Sequence, residues 1–295
     1  MAEAAIPVGL VGAGPWAKMV HSPMLAAGPE TRLAGIWARK PEASRDLAAR
    51  YNIPSFEDYD DLLAACEAVA FAVAPEAQPQ FAARAARAGK ALLLEKPPGA
   101  DVAGALRIAE AVAGAGVPSM LMLSYRFSDA VRAFVGEARA FDASGARATF
   151  ISGGLLAGPF AFGWRLERGA LLDLGPHAID LASATLGKVT RVQAHGDPLR
   201  WVGLLLDHES GAVSEVSLSG SVGIPQAKVG IELFGPGGTI AVDGMTGMGP
   251  AVFANISAAF AACVRTGTAH ELDAAHGLYL QRIIDEAERQ LAAAR

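Results

Sequence analysis

Three ionisable residues in the second half of the chain are spaced so that they could act together on a proton. Asp173, His177 and Asp180 stand at i, i+4 and i+7 in a stretch that predicts a helix over Gly169–Gly187, so they share one helical face. A carboxylate beside an imidazole orients the ring and stabilises its protonated form. An Asp–His pair one turn apart is also a common helix-surface contact, so the residues alone leave both interpretations open. Gly175–Pro176 predicts that the helix begins later or kinks there.

A lysine in the first half of the chain follows a short apolar run. The stretch AGKALLLEKPPG predicts a strand over Ala91–Leu94 that ends in Glu95-Lys96-Pro97. Ligands of parallel sheets bind outside the carboxyl ends of the strands, so Lys96 is placed where a site would form. A solvated surface lysine is the plain alternative. Pro97 donates no backbone hydrogen bond and an X-Pro bond can be cis, which suits a sharp turn.

A glycine turn near the start of the chain predicts nucleotide binding. The apolar stretch Ile6–Val11 leads into Gly12-Ala13-Gly14-Pro15-Trp16-Ala17, which has the G-x-G-x-x-A spacing. The first glycine allows a tight turn, the second allows close approach of a pyrophosphate, and the small Ala17 lets the following helix pack on the strand. The helix N-terminus favours the phosphate charge. Gly12, Gly14, Pro15, Trp16 and Ala17 are therefore candidate cofactor contacts.

The order of the predicted elements gives the fold class. Strands and helices alternate through residues 1–122, which predicts an α/β, doubly wound parallel sheet of the Rossmann type with the glycine turn between its first strand and first helix. Residues 123–295 contain several strands joined by tight turns, which favours antiparallel pairing in a second, α+β domain. We therefore expect an NAD(P)-binding domain over 1–122 and a second domain over 123–295.

The end of the second predicted strand bears on the choice of cofactor. NAD-binding domains usually carry an acidic residue there for the ribose 2′-hydroxyl, whereas an arginine accommodates the 2′-phosphate of NADP. The stretch TRLAGIWARKP, residues 31–41, has no acidic residue and contains Arg39 and Lys40. The sequence therefore favours NADP(H), with NAD as the alternative.

Composition excludes several other classes of function. The 295 residues carry a net charge of −5 without a basic cluster, which argues against a nucleic-acid partner. No apolar run is long enough for a membrane helix and the first residues resemble no signal peptide, so we expect a cytoplasmic protein. Cys66 and Cys263 are far apart and predict buried thiols. Asp207-His208-Glu209 fits a hairpin tip, and no metal site is expected.

Three motifs in this order resemble the Gfo/Idh/MocA family, the relatives of glucose–fructose oxidoreductase and inositol dehydrogenase. They are G-x-G-x-x-A, then A-G-K-x-x-x-x-E-K-P, then a segment similar to G-G-x-x-x-D-x-G-x-H-x-x-D in which Arg168 replaces the first glycine. The resemblance covers essentially the whole chain. It implies a Rossmann domain, a nicotinamide cofactor, and sugar-like or cyclitol substrates. It also implies that the C-terminal domain, residues 123–295, has a large, mostly antiparallel sheet and serves substrate binding and oligomerisation. It also implies that Lys96 lies beside the nicotinamide and the reacting carbon.

The resemblance assigns further candidate contacts. The family's T-P-N-x-x-H segment retains only its proline here, as Pro75, which joins Glu95 and Lys96 among the cofactor contacts. Tyr125 and Arg126 match a Y-R-F segment, and Trp164 with Arg165 matches a W-R pair in the predicted loop over residues 155–167 that lies near the substrate in relatives. A packed tryptophan and a surface arginine are the alternative for that pair. Relatives often form dimers through the outer face of the sheet, so we expect a homodimer or homotetramer.

These features predict hydride transfer between a nicotinamide and a carbinol or carbonyl carbon of a carbohydrate-like molecule. Lys96 and His177 would handle the proton and Asp173 would orient or balance them. The sequence leaves open whether Lys96 or His177 protonates the oxygen. It also leaves two other functions open, a non-catalytic cofactor-sensing regulator on the same scaffold and a reductase of a non-sugar carbonyl or imine.

Overall fold

Six parallel strands form the first sheet of the computed structural model, which describes residues 3–294. Their order is β3-β2-β1-β4-β5-β6, and every neighbouring pair is parallel. The central strands β4 and β5 are completely buried apolar runs, as expected for strands covered on both faces. The predicted doubly wound Rossmann sheet is confirmed. The strands are β1 (Ile6–Val11), β2 (Thr31–Trp37), β3 (Ser55–Phe56), β4 (Ala68–Phe71), β5 (Ala91–Leu94) and β6 (Ser119–Leu121).

Helices connect these strands, and side-chain caps define two of their starts. Asp58 accepts a hydrogen bond from Asp60 N before α3, and Asp101 accepts one from Gly104 N before α5. The helix predicted over Pro15–Ala27 contains an unexpected π-helical turn at Ala17–His21. The helices are α1 (Ser22–Ala26), α2 (Pro41–Ala49), α3 (Tyr59–Ala64), α4 (Gln78–Arg87) and α5 (Val102–Ala115).

The second sheet is mixed and mostly antiparallel, as predicted. Its order is β12-β11-β7-β10-β9-β8, and its only parallel pair among the described residues is β7 with β10. Buried and exposed residues alternate along β9 and β10, so one face of the sheet packs on helix α7. A 3₁₀ turn, Ser124–Phe127, comes before these elements. They are α6 (Asp129–Ala138), β7 (Gly145–Ile151), α7 (Trp164–Leu186), β8 (Val189–Asp197), β9 (Trp201–His208), β10 (Val213–Ser219), β11 (Lys228–Gly235) and β12 (Gly238–Asp243).

The chain divides into two units whose limits differ in one respect from the expected domain boundaries. The first unit holds the described residues up to Met122 together with Phe253–Leu278, and the second holds Leu123–Val252 and the residues from Tyr279 onward. Residues 253–278 were expected in the second domain. They cluster with the first because Leu121 N donates to Leu272 O at 2.6 Å and Ala274 N donates to the Ser119 hydroxyl oxygen at 3.1 Å.

The last two helices are α8 (Pro250–Thr266) and α9 (Ala274–Ala293). No helix in the described part of the chain is both long and apolar enough to cross a membrane.

Helix α7 is interrupted at Gly169 rather than at Gly175–Pro176. Gly169 has φ 72° and ψ −160°, whereas Pro176 is accommodated inside the helix. A Cβ atom on Gly169 would come within 2.2 Å of the Pro198 carbonyl oxygen. Ala170 N donates to that same oxygen at 2.8 Å. The helix therefore starts afresh at residue 170, close against the segment that precedes β9.

A buried ion pair joins α7 to the 3₁₀ turn in the second unit. Arg126 Nη1 donates to Asp180 Oδ1 at 2.9 Å, and the two side chains are 9% and 1% exposed. A charge this deeply buried needs a close partner, because the protein interior solvates an isolated ion poorly. The pair therefore sets the rotation of α7 about its axis, and with it the direction of the other polar residues on that helix.

We expect Gly169→Ala to destabilise the protein by about 2 kcal/mol or more, because the new methyl group has no room and the positive φ is strained. Gly175→Ala is the matched control, since its Cβ would meet three side-chain methyl groups at ordinary contact distances, Leu171 Cδ1 at 3.4 Å, Leu218 Cδ1 at 3.6 Å and Ile179 Cδ1 at 3.8 Å. That substitution should be neutral or stabilising by up to about 1 kcal/mol. Urea denaturation measures the free energy of unfolding of both variants. Equal values for the two would contradict an interruption of α7 at Gly169.

We expect Arg126→Leu to cost about 3–5 kcal/mol of unfolding free energy, because it leaves the Asp180 carboxylate buried without its guanidinium. The double variant with Asp180→Leu should regain part of that loss. The control is Arg147→Leu, whose partner Glu215 lies at 3.3 Å in an ion pair with side chains 70% and 62% exposed. Its loss should stay under about 1 kcal/mol. Equal losses for the two arginine variants would argue against a buried pair.

Candidate active site

The glycine turn of the first unit is tight on one side and open on the other. Gly12 has φ 115°, and a Cβ there would come within 2.3 Å of the Ala72 carbonyl oxygen. Its N–H donates to Trp37 O at 2.8 Å, which joins the ends of β1 and β2. A Cβ on Gly14, by contrast, would meet no atom within 4 Å. The backbone at Gly14 is therefore free to be approached by a pyrophosphate, and the turn fits a dinucleotide.

The side chains of the turn point in different directions. Pro15 is exposed, whereas Ala17 is completely buried and allows the helix to pack closely on the sheet. The Trp16 indole N–H donates to Glu95 Oε1 at 2.5 Å. The indole nitrogen of Trp16, a predicted cofactor contact, is therefore used by Glu95. A contact between Trp16 and a cofactor would have to use its backbone or the carbon atoms of its ring.

The loop after β2 carries exposed basic residues. Arg39 and Lys40 are both exposed, and Lys40 stands at the N-cap of α2. Trp37, at the end of β2, packs between Tyr59 and Phe81, with ring centroids 5.2 and 4.8 Å away. The predicted basic loop is therefore present at the strand end where the cofactor's ribose would bind, above a fixed aromatic cluster.

Lys96 follows Glu95 at the carboxyl end of β5 and is partly buried. The peptide bond from Lys96 to Pro97 is cis. Glu95 is 8% exposed, and its Oε2 accepts a hydrogen bond from Lys96 N at 3.2 Å. Pro75 is buried in the turn that leads into α4. The structure thus places Glu95 and Lys96 at the carboxyl edge of the sheet, together with Trp16.

The second unit gathers aromatic rings around His177. Asp173, His177 and Asp180 are all buried on α7. The Tyr125 ring stands edge-on to the imidazole with centroids 5.0 Å apart, and the Phe150 ring lies at 5.8 Å. Burial raises the pKa of Tyr125 to about 12, and the negative charge of Asp173 adds to that effect. Tyr125 is therefore a neutral hydroxyl at working pH, close to both residues.

Arg165 lies on Asp173 and is held among aromatic rings. Arg165 Nε donates to Asp173 Oδ1 at 3.3 Å, and both side chains are largely buried. The guanidinium carbon lies 4.5 Å from the Trp164 ring centroid and 5.5 Å from that of Phe160. Eight residues of straight helix would separate Arg165 from Asp173 by about 12 Å, so the break at Gly169 is what permits this contact.

Two expectations for these residues need correction. Trp164 and Arg165 were expected in a loop, but they begin the first piece of α7, because the helix starts at Trp164 and breaks at Gly169. Arg165 is also no ordinary surface arginine, since its side chain is 15% exposed. Arg126, a predicted substrate contact, directs its guanidinium to Asp180. The aspartate that was expected to orient His177 also has an arginine partner.

Sequence reasoning missed two residues that contact the Glu95–Pro98 segment. His21 Nε2 lies 2.7 Å from Glu95 Oε1, and the Gln78 amide bonds the backbone on both sides of Lys96. Both side chains are completely buried; His21 ends the π-helical turn and Gln78 begins α4. A polar residue after the apolar Met19 and Val20 was the available signal for His21, whereas Gln78 lies between Glu76 and Gln80 and had none. Within residues 3–294, no group of three or more His, Cys, Asp or Glu side chains is arranged to hold a metal ion.

Known protein families match both halves of the chain. Residues 6–123 match the model described as "Oxidoreductase family, NAD-binding Rossmann fold", and residues 134–241 match the GFO/IDH/MocA C-terminal domain. A dTDP-3,4-didehydro-2,6-dideoxy-alpha-D-glucose 3-reductase from Streptomyces violaceoruber is 29% identical over 236 residues, which cover 78% of this chain and 66% of that protein. The matched regions span between 39% and 66% of the lengths of the curated relatives.

Solved structures share the fold over nearly the whole chain. GenD2 from gentamicin A biosynthesis, solved in complex with NAD, superposes with a TM-score of 0.87 at 20% identity and covers 100% of this chain and 96% of its own. Levoglucosan dehydrogenase, solved with NADH and L-sorbose, also has a TM-score of 0.87 at 20% identity, with coverage of 99% and 98%. At this identity the likeness shows the fold alone. Because the two family models together match more than half of the chain, this protein belongs to the Gfo/Idh/MocA oxidoreductase family.

Proposed function

We propose that the protein is an NADP(H)-dependent oxidoreductase that transfers a hydride to or from a CH–OH or C=O carbon of a sugar, a cyclitol or a related small molecule. The observation that carries this proposal is the position of Lys96, at the same carboxyl edge of the sheet as the Gly12–Ala17 turn. The activity of the Streptomyces relative, a sugar 3-reductase, supports the substrate class. The sugar-like ligand in the levoglucosan dehydrogenase structure is consistent with it.

The chain's own residues would bind the dinucleotide and move the proton. When bound, the nicotinamide cofactor supplies or accepts the hydride. Gly12 and Gly14 let the backbone approach the pyrophosphate, and the helix N-terminus offers N–H groups to it. The Lys96 ammonium can donate a hydrogen bond to the substrate oxygen, and can pass a proton to it or take one back as the carbon changes between carbonyl and alcohol.

Polar groups of the second unit are further candidates for handling the proton. His177 can donate or accept a proton through its ring nitrogens, and the rings of Tyr125 and Phe150 restrict its orientation. Asp173, with Arg165 bound to it, would balance the charge that forms on the imidazole. Trp164 and Arg165 remain our candidates for contacts with the substrate. Arg126 would act indirectly, by fixing α7 through Asp180.

We further propose that the protein is a homodimer or homotetramer that uses the exposed face of its second sheet. Trp201, Leu205 and Val213 are 48%, 37% and 38% exposed. Trp201 and Leu205 alternate with the buried residues of β9, and Val213 pairs with Asp207 on the neighbouring strand, so all three project from the same face. Large apolar side chains collected on one open sheet face favour association with a second surface.

Lys96→Met should lower turnover by at least about 100-fold and leave the affinity for NADPH within about threefold, because it removes the proton-handling ammonium and keeps the length of the side chain. Turnover is measured spectrophotometrically from NADPH oxidation or NADP reduction against a panel of sugars, keto-sugars and cyclitols. Lys90→Met is the control, since Lys90 Nζ bonds Cys66 O at the start of β5, and its turnover should stay within about twofold of the parent.

Near-normal turnover of Lys96→Met would remove Lys96 from the mechanism. If the parent protein binds NADPH but turns over no member of the panel, a cofactor-sensing role would replace the proposed enzyme.

The protein should bind NADPH at least about tenfold more tightly than NADH, because Arg39 and Lys40 are available for the 2′-phosphate and residues 31–41 contain no acid. Arg39→Ala should weaken NADPH binding by about tenfold or more and leave NADH binding unchanged. Fluorescence titration of each cofactor gives the dissociation constants. Arg50→Ala, an exposed arginine at the end of α2, is the control and should change neither. Tighter binding of NADH by the parent would overturn the assignment.

A further inference from the structure

A single buried carboxylate joins the glycine turn to the lysine site. Glu95 Oε1 lies 2.5 Å from Trp16 Nε1 and 2.7 Å from His21 Nε2, and Glu95 Oε2 accepts from Lys96 N at 3.2 Å. Trp16 belongs to the turn, His21 to the helix that follows it, and Glu95 to the end of β5. Three separate pieces of the first unit therefore meet at one side chain, immediately before Lys96.

The π-helical turn explains how one helix supplies two of these donors. Trp16 and His21 are five residues apart, which in a regular α-helix of 3.6 residues per turn would place them on different sides. The wider turn at Ala17–His21 brings their side chains to the same side, facing Glu95 Oε1. Such one-turn π segments occur frequently at functional sites.

A second side chain fixes the backbone around Lys96. The Gln78 carbonyl oxygen accepts from Glu95 N at 2.8 Å, and its amide nitrogen lies 2.9 Å from Glu95 O and 3.0 Å from Pro98 O. Gln78 is completely buried at the start of α4. Gln78 thus holds the backbone before and after Lys96, whereas Trp16 and His21 hold the Glu95 carboxylate.

The imidazole of His21 is kept in place at some cost. The residue is completely buried, and its Nδ1 has no hydrogen-bond partner among residues 3–294. Its Nε2 faces Glu95 Oε1 at 2.7 Å, and a ring with a hydrogen on Nε2 donates to that oxygen. A buried polar atom without a partner is unfavourable, which indicates that the bond to Glu95 fixes the ring.

We propose that Trp16, His21 and Gln78 are positioning residues that hold the Glu95 carboxylate and, through it, keep Lys96 in its working place. This inference rests on the proposed function of Lys96. Without its donors, the buried Glu95 carboxylate would lack hydrogen bonds and would attract the ammonium of the next residue, Lys96. The lysine would then move away from its working position, although neither Trp16 nor His21 needs to contact the substrate.

The test compares His21→Leu and Trp16→Phe, each of which removes one donor, with His21→Gln, whose amide can donate in place of the ring. The first readout needs neither cofactor nor substrate: the rate at which acetic anhydride labels Lys96 in the cofactor-free protein, relative to the exposed Lys188, by mass spectrometry. The second is the dissociation constant for NADPH. The third is the division of any kinetic loss between kcat and KM.

The expected result is a change of about threefold or more in the Lys96 labelling ratio for His21→Leu and Trp16→Phe, with return towards the parent value in His21→Gln. Turnover should fall about tenfold in kcat for both variants, because displacement of a reacting group acts on the chemical step, and in His21→Leu, KM and the NADPH dissociation constant should stay within about threefold. The control is His208→Leu, which removes a buried histidine bonded to Gly187 O and Ser214 Oγ in the second unit and should leave the ratio unchanged.

Unchanged labelling and kcat in a folded His21→Leu or Trp16→Phe variant would overturn the inference, as would the same changes in His208→Leu. If His21→Leu does not fold, Trp16→Phe alone decides, because it keeps an aromatic ring in the same space. If the parent protein turns over no substrate, the proposed function fails, and the labelling ratio still supports or refutes the positioning network.

Discussion

A negative charge buried inside the first unit is the constraint on which its functional edge depends. The Glu95 carboxylate is 8% exposed, and burial of an unpaired carboxylate would cost several kcal/mol. Its hydrogen bonds come from an indole, an imidazole and a backbone N–H that lie on different parts of the chain. These partners meet only when β1, its turn and β5 are all in register, so the fold and the position of Lys96 are secured together.

The second unit handles its buried charges in a similar way. Helix α7 carries Asp173 and Asp180 in buried positions, and each has an arginine partner from an earlier part of the same unit. Arg126 reaches Asp180 from the 3₁₀ turn, and Arg165 reaches Asp173 because the helix breaks at Gly169. Each of the two buried carboxylates is therefore paired with a guanidinium, and His177 stands between them on the same helix with aromatic neighbours.

Local sequence patterns predicted most of the helices and strands, but not which side chains of different elements contact each other. The Gly12–Ala17 turn and the buried strands β4 and β5 were predictable, because their signals lie within a few neighbouring residues. The short strand β3 and the edge strand β12 were not predicted, since the first has two residues and the second alternates weakly. The bonds from Glu95 to Trp16 and His21 join residues more than 70 positions apart, and no local pattern encodes such a pair.

The return of residues 253–278 to the first unit has a consequence for synthesis on the ribosome. The strand β6 at the edge of the Rossmann sheet receives its neighbours Leu272 and Ala274 from a segment made some 150 residues later. Until that segment has emerged, the nascent first unit lacks the chain that lies along β6, and exposed strand edges are prone to pair with other chains. Completion of the nucleotide-binding unit must therefore wait until residues 253–278 have been synthesised, long after the glycine turn Gly12–Ala17 has been made.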